Sequence, residues 1–185
     1  MSSRAEKAIE ATRQRKVGPI YACIDAGNYK GALKLCEKKD LADWDIVLAL
    51  KAHSLERSGK SSEALAINRA VKLRKPMDDS VLSTLALNFK MLDCEEEATE
   101  CYENALAVEP GNLTMAQEVF FSHVRRFAFA KQQQVAMKLV KQLPQQIHLV
   151  CWTATAALLA RREDPKTPPS MLLLAERMVK RSLDG

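Results

Sequence analysis

The fold is decided by residues 81–112, which read VLSTLALNFKMLDCEEEATECYENALAVEPGN. Apolar residues recur at helical spacing from Leu82 to Phe89, a short polar turn follows, and a second helical pattern runs on to Pro110. The segment therefore predicts two consecutive helices. Ala98 is expected where they cross, because a small side chain lets two helix backbones approach to about 8 Å.

The same pattern repeats along the chain. Pro76, Pro110 and Pro144 stand 34 residues apart, which is the length of a tetratricopeptide helix-turn-helix unit. Ala64 takes the place of the crossing residue in the preceding unit. We therefore predict an all-α fold, a tetratricopeptide-like solenoid of helical hairpins with about five helix pairs. Residues 1–185 are expected to form a single superhelical domain that is the N-terminal segment of a longer array.

The units at the two ends are less regular. Gly27 and Ala32 mark a first unit, whereas the fourth unit has Gln132 where the small residue belongs. A fifth pair follows, with an irregular linker at 162–169 before the last helix. That helix is apolar and lacks the polar outer face of a terminal cap, so we expect that the chain continues, pairs with itself or is covered by a partner.

Composition and charge limit the functional class. The chain is 47% hydrophobic and 28% charged, with only 5% aromatic residues and a net charge of +5, which favours a packed helical protein. The N-terminus has no apolar block of a secretory signal, and no apolar run is long enough for a membrane span. A cytoplasmic protein without a membrane partner is therefore expected.

Metal and cofactor sites are not predicted. The five cysteines are odd in number and contain no C-x-x-C pair, so helical core thiols are expected at Cys23, Cys36, Cys94, Cys101 and Cys151. The glycines are scattered, so no phosphate-binding loop is indicated. The fragment Arg15 to Ile20 begins like an acetyl-coenzyme A loop, but Ile20 and Pro19 break the pattern.

Catalytic residues are not predicted either. The imidazole bases are His53, His123 and His148, and the repeat register places His53 on the concave wall and His123 at a packing position, with no nucleophile obviously paired to either. The acidic run of Glu95 to Glu103 is interpreted as a solvated helix face. We therefore expect no enzyme activity and no small-molecule substrate.

Charge is distributed in bands, with an acidic third unit between basic neighbours. One basic band lies around Arg69, Lys72, Arg74 and Lys75. A second leads the chain, and both could meet the phosphate backbone of RNA; the members of the second band are Arg4, Lys7, Arg13, Arg15 and Lys16. Solvated helix faces remain the alternative interpretation for both bands.

Three stretches resemble a known family. They are VGPIYACIDAGNYK at 17–30, LKAHSLERSGK at 50–60 and LAERMV at 174–179. In residue identity, order and spacing they are similar to the N-terminal part of the auxiliary subunits of the NatB N-terminal acetyltransferase complex. The resemblance covers nearly the whole chain.

The resemblance implies a function. Auxiliary subunits of this family are long tetratricopeptide superhelices that cradle a separate GNAT-fold catalytic subunit and help to place it at the ribosome. That complex acetylates nascent chains beginning Met-Asp, Met-Glu, Met-Asn or Met-Gln. The implied role of this chain is that of a non-catalytic scaffold.

Partner contacts are predicted from the repeat register on the concave wall. Aromatic and arginine side chains carry most interface energy, so the candidates are Tyr21, His53, Arg57, Phe121 and Arg125. The alternative function is a generic tetratricopeptide adaptor, such as a chaperone-binding one. Its Lys, Asn and Arg clamp is missing from the predicted wall, which includes Val17, Tyr21, Ala49, His53, Ser83, Leu87, Gln117 and Phe121.

Overall fold

Helices are the regular elements of the described part of the chain, which contains no strand. The computed structural model describes residues 4–143, 146–166 and 168–183. The helices are α1 Arg4–Asp25, α2 Tyr29–Cys36, α3 Asp45–Glu56, α4 Ser61–Leu73, α5 Asp79–Met91, α6 Glu95–Val108, α7 Leu113–Arg125, α8 Phe129–Gln142, α9 Ile147–Glu163 and α10 Pro169–Leu183. These helices make five pairs, and in each pair we call the first the A helix and the second the B helix. The predicted all-α fold of tetratricopeptide-like hairpins is confirmed.

The turn inside a pair has one backbone conformation in the first four pairs. Its central residue has a positive φ each time, at Gly27 (69°), Gly59 (78°), Asp93 (55°) and Phe127 (55°). The next residue donates its N–H to a carbonyl five residues back, from Asn28 to Cys23 (2.8 Å), Lys60 to Leu55 (2.9 Å), Cys94 to Phe89 (2.8 Å) and Ala128 to His123 (2.9 Å). This is the six-to-one bond of a Schellman motif. The sequence repeat is therefore also a repeat of hydrogen bonding.

Polar caps begin several helices. Asn28 accepts from the N–H of Gly31 at the start of α2, and Asn112 does the same for Met115 in α7. Asp78 accepts from the N–H groups of Ser80 and Val81 in α5. Each cap satisfies a backbone donor that the first helical turn leaves open. Pro76 and Pro110 lie in the loops just before α5 and α7, whereas Pro144 is outside the described residues.

Contacts divide the chain into two compact units, Met1–Cys101 (unit 1) and Tyr102–Gly185 (unit 2), with the division inside α6. In unit 1 the residues predicted to lie at helix crossings are buried, since Ala32 and Ala64 are 0% and Ala98 is 8% exposed. Around Ala64 the core is built from Ala52 and Leu55 with Leu33 and Ile67 packed against them. The prediction of one domain over 1–185 stays a prediction.

Unit 2 has a different core. Its central cluster consists of Ala116, Phe120, Ala136, Leu139 and Leu149. Gln132, which replaces the small crossing residue, is buried together with its neighbour Gln133. On α10, Leu173 and Leu174 are 55% and 40% exposed, in line with the apolar outer face expected of this helix. The end of α9 at Glu163 and the start of α10 at Pro169 bound the segment predicted as a linker.

Candidate partner-binding faces

The A helices of unit 1 present a mixed polar and apolar surface, the unit-1 face. Tyr21 on α1 is 38% exposed and Leu87 on α5 is 50% exposed. His53 on α3, the A helix between α1 and α5 in the chain, is half-buried. Tyr21 forms a side-chain hydrogen bond with Thr84, and burial raises the pKa of its hydroxyl. Val17 and Ala49, which the register assigned to the wall, are buried in the core, so that part of the prediction was wrong.

Arg57, which follows the last residue of α3, is held by Tyr29 at the start of α2. Its Nε donates to the hydroxyl oxygen of Tyr29 at 3.1 Å, and its guanidinium lies 5.8 Å from the centre of the same ring. A cation over an aromatic ring is attracted by the ring quadrupole. The Arg57 side chain is thus directed towards the start of α2, and it remains exposed to solvent.

An ion pair ties α1 to the start of α5. Arg13 Nη1 lies 2.5 Å from Asp78 Oδ2, and Nη2 is 3.5 Å from the hydroxyl oxygen of Ser80. Burial raises the pKa of Asp78, but the hydrogen bonds from Arg13 and Ser80 outweigh it and hold the pKa at about 2. Asp78 is therefore both a helix cap and the anion that fixes Arg13.

The other cations predicted to meet RNA differ in their surroundings. Lys16 Nζ is 2.9 Å from Asp40 Oδ2 and 5.6 Å from the ring centre of Trp44. Arg15 is exposed. The side chains of Arg4 and Lys7 lie outside the part that the structure describes. The structure thus gives Lys16, like Arg13, an anionic partner within the protein.

Two clefts flank the Arg13–Asp78 pair. One of about 830 Å³ lies beside the middle of α1, with Trp44, Ile46, Met77 and Val81 among its apolar lining. A smaller one of about 330 Å³ runs between α1 and α5 over Ile46 and reaches Tyr21. Sequence analysis missed the larger cleft, because Trp44 lies in the loop between the first and second helix pairs, outside the repeat pattern.

A buried amide ladder stands behind His53. The Nδ2 atom of Asn88 on α5 donates to the carbonyl oxygen of Ala49 on α3 (2.9 Å) and to Oδ1 of Asn68 on α4 (3.0 Å). The Oδ1 atom of Asn88 lies 3.0 Å from Nδ1 of His53. Both asparagines are fully buried. The sequence offered no signal for this ladder, because a polar residue inside a helix is ordinarily expected to face solvent.

The A helices of unit 2 carry an aromatic surface, the unit-2 face. Phe121 on α7 is 39% exposed and meets the ring of Trp152 on α9 edge-on, with 5.0 Å between centroids. Trp152 also stacks on the buried Phe120 at 4.8 Å. Arg125, one turn after Phe121, is exposed. The structure thus brings the predicted Phe121 together with Trp152, which the sequence analysis had not selected.

Ion pairs between α4 and α6 correct the interpretation of two charge bands. Arg69 lies 2.7 Å from Glu97, and Lys72 pairs with both Glu97 and Glu100. Arg74 reaches Asp43 at 2.8 Å and Asp45 at 2.9 Å. The acidic run is therefore not simply a solvated face, because Glu97 is only 19% exposed and holds two cations. The basic band of unit 1 is likewise largely neutralised.

Two of the described cysteines, Cys36 and Cys101, are buried and are poor nucleophiles. Burial raises the pKa of Cys36 to about 11 and that of Cys101 to about 12, so neither forms a thiolate at neutral pH. Cys151 is exposed, contrary to the expectation of a core thiol. The described side chains include no group of three or more His, Cys, Asp or Glu residues placed to share a metal ion.

His123 occupies the packing position that the sequence predicted. It is 1% exposed, and its Nε2 lies 3.3 Å from Oε1 of Glu103. Burial lowers the pKa of His123, against the opposing effect of Glu103. Its Nδ1 is buried without a partner among the described residues, so this imidazole packs as a neutral core group.

Within the described residues, none of the helices has the length and hydropathy that a bilayer crossing requires.

Comparison with known proteins places these features in a family. Residues 14–185 match the family described as Psidin, N-terminal TPR repeats region. The chain belongs to this family. The resemblance to the N-terminal region of NatB auxiliary subunits is confirmed by relatives that bear that name.

The curated relatives of this Psidin-family chain are much longer. It is 37% identical over 179 residues to the N-terminal acetyltransferase B complex auxiliary subunit NAA25 of Arabidopsis thaliana, with 92% of this chain and 16% of that protein covered. It is 29% identical over 178 residues to the human N-alpha-acetyltransferase 25, NatB auxiliary subunit, with 94% and 18% covered. The chain thus spans less than a fifth of these relatives.

A solved structure is similar in fold. The structure of Naa15/Naa10 bound to HypK-THB superposes with a TM-score of 0.60 at 18% sequence identity, covering 92% of this chain and 29% of that one. At this identity the similarity shows the fold alone. It agrees with the helical pairs of the Psidin family.

Proposed function

We propose that this chain is the N-terminal tetratricopeptide region of a non-catalytic scaffold that binds the catalytic subunit of the NatB N-terminal acetyltransferase complex. The observation that carries the proposal is the family match over residues 14–185, together with relatives that are named as NatB auxiliary subunits. The partner is a separate GNAT-fold acetyltransferase, and this chain supplies it with a binding surface and no catalytic group.

The two faces offer suitable contact chemistry. Tyr21 and Leu87 on the unit-1 face expose large side chains, as does Phe121 on the unit-2 face. Arg125 adds an exposed guanidinium one turn from Phe121. Aromatic and arginine anchors surrounded by apolar area carry most of the energy in protein interfaces. We propose Tyr21, His53, Arg57, Phe121 and Arg125 as contacts of the catalytic subunit.

Co-purification tests the proposal. The tagged chain is co-expressed with the catalytic subunit of the same organism, and Tyr21→Ala and Phe121→Ala are compared with the wild type. We expect retention of the catalytic subunit by the wild type and reduced retention by both variants, with unchanged helical circular dichroism. Ser62→Ala, on the exposed first turn of α4, is the matched control and retains binding.

The acetylation assay separates a scaffold from an enzyme. Peptides beginning Met-Asp, Met-Glu, Met-Asn or Met-Gln are incubated with acetyl-coenzyme A and the chain, the catalytic subunit, or both. Turnover by the chain alone contradicts the proposal. A folded chain that retains no acetyltransferase leaves the generic tetratricopeptide adaptor as the better assignment.

A ribosome contact in the cytosol is the further part of the proposal. Of the leading cations, Arg15 is exposed whereas Arg13 and Lys16 already pair with carboxylates. A phosphate contact releases counterions and makes binding fall with salt. Arg15→Glu is therefore expected to weaken ribosome co-sedimentation and to flatten its salt dependence. Equal binding by wild type and variant at every salt concentration excludes a contact through Arg15.

A further inference from the structure

The buried amide ladder fixes the hydrogen-bonding state of His53. A backbone carbonyl only accepts, so the Asn88 atom that faces the Ala49 oxygen at 2.9 Å is the amide nitrogen. The second proton of that nitrogen goes to Oδ1 of Asn68. The orientation of the Asn88 amide is therefore determined, and its oxygen faces Nδ1 of His53 at 3.0 Å.

An amide oxygen only accepts, and this determines the tautomer of His53. Nδ1 of His53 must carry the proton that it donates to Asn88 Oδ1. A neutral imidazole carries one N–H, so Nε2 keeps its lone pair. Free imidazole side chains in water favour the opposite tautomer, with the proton on Nε2. The ladder thus imposes the less common form.

The bare nitrogen is open to solvent. Nε2 of His53 forms no hydrogen bond with the described residues, and it is not one of their buried polar atoms that lack a partner. Leu87, the residue before Asn88, is half exposed on the neighbouring helix. An acceptor nitrogen thus lies on the unit-1 face next to the α5 segment that exposes apolar area.

We infer that neutral His53 is a fixed hydrogen-bond acceptor on the unit-1 face, and that the partner group it meets is an N–H or O–H donor. This inference rests on the proposed function, which makes the unit-1 face a contact with the catalytic subunit. A carboxylate only accepts, so it could bind at Nε2 only after His53 had taken up a second proton. Asn88 is the positioning residue, because it acts through His53.

Nitrogen NMR of the chain tests the tautomer without a partner. The chain is labelled with ¹⁵N-histidine and observed at about pH 8, where an ordinary histidine is neutral. We expect one of the three imidazoles to show a protonated Nδ1 and a bare Nε2, and this pattern to be missing from the spectrum of His53→Phe. A protonated Nε2 at His53 overturns the inference. In Asn88→Leu the signal of His53 is expected to shift towards the Nε2–H form.

Binding tests the partner chemistry. His53→Phe keeps the ring shape and removes the acceptor, so the affinity for the catalytic subunit is expected to fall roughly tenfold. His53→Gln can still present an acceptor oxygen and is expected to recover part of the loss, whereas Ser62→Ala binds as the wild type. Unchanged affinity in His53→Phe overturns the inference and leaves the proposed function standing. Failure of the wild type to bind overturns both.

Discussion

Unit 1 and unit 2 are built from the same helical pair but stabilise it differently. In unit 1 two of the three turns use Gly27 and Gly59 at the positive-φ position and the third uses Asp93, whose short side chain tolerates it, and the crossing residues Ala32 and Ala64 are fully buried. In unit 2 the equivalent turn has Phe127, and the equivalent crossing has the buried Gln132. Unit 1 therefore has small or short residues at these turn and crossing positions, as the repeat favours. Unit 2 has a bulky residue in the turn and a long polar residue at the crossing.

The polar interactions differ in the same sense. Unit 1 connects its helices through directed polar contacts, the Arg13–Asp78 pair and the Asn68–Asn88–His53 ladder. Unit 2 relies on ring packing around Trp152 and buries the imidazole of His123. Hydrogen bonds and ion pairs fix how neighbouring helices align along one another, whereas packed rings contribute mainly buried apolar area. We therefore expect unit 1 to respond to changes in charge and helix spacing, and unit 2 to protonation of its core.

The largest effect is expected from Ala98→Leu in unit 1. Ala98 is 8% exposed early in α6, where the repeat predicts the crossing with α5, and a leucine there is expected to force the helices apart at a cost of about 1–3 kcal/mol. Urea unfolding measures the loss. Ala66→Leu, at an exposed position of another B helix, is the control and should change stability little. Equal stability of Ala98→Leu and the wild type would refute the close crossing.

The next effect concerns His123 in unit 2. Burial lowers its pKa below the ordinary 6.5, so the unfolded chain takes up a proton that the folded chain resists. Its stabilising contribution is complete above pH 6.5 and is lost as the pH falls through 6.5 towards the lowered value. The loss is at most about 1.4 kcal/mol per pH unit.

Unfolding curves at several pH values between neutral and acidic measure this slope. His123→Leu should flatten it, since leucine fills the equivalent place at Leu55 in the second pair. The exposed His148 serves for comparison, and His148→Gln should leave the slope unchanged. A slope that persists in His123→Leu assigns the titration to another group.

A smaller effect is expected for Asp78→Asn in unit 1. Asparagine keeps the cap of α5 but loses the charge that faces Arg13. The carboxylate is 37% exposed, so solvent screening reduces the expected loss to about 1 kcal/mol at neutral pH. The pKa of Asp78 is lowered from 3.8 to about 2, so the stabilisation is present above 3.8 and disappears as the pH falls towards 2. Variant and wild type should therefore converge in acid, and a constant difference would contradict the ion pair.

The repeat could be predicted because it depends on residues whose backbone conformation or side-chain size is restricted at particular positions. Gly59, Ala64 and Pro76 each satisfy a local requirement, namely a left-handed turn, a close crossing and a helix stop. Such requirements act within one hairpin, so sequence spacing is enough to detect them. The same spacing predicted that His123 packs in the core.

The faces were less predictable because they depend on contacts between pairs. Val17 and Ala49 match the register of the wall, yet they are buried because neighbouring helices cover them. The Asn68–Asn88 bond joins helices of different pairs, and no periodic pattern marks two asparagines as partners. Likewise, Glu97 belongs to a run that looked solvated in the sequence, yet its ion pairs connect α6 to α4.

The smallest effect should be a gain in unit 2 from Phe127→Gly. Phe127 adopts a φ of 55° and is 69% exposed, so its ring contributes little burial while its Cβ strains the turn. Glycine adopts this conformation without that strain, although the contact with the Phe129 ring at 6.2 Å is lost. We expect a net gain of about 0.5 kcal/mol or somewhat more in urea unfolding. Gly59→Ala is the mirror experiment in unit 1 and should destabilise, because it introduces a Cβ at a φ of 78°. If both changes have the same sign, the turn conformation does not explain the difference between the units.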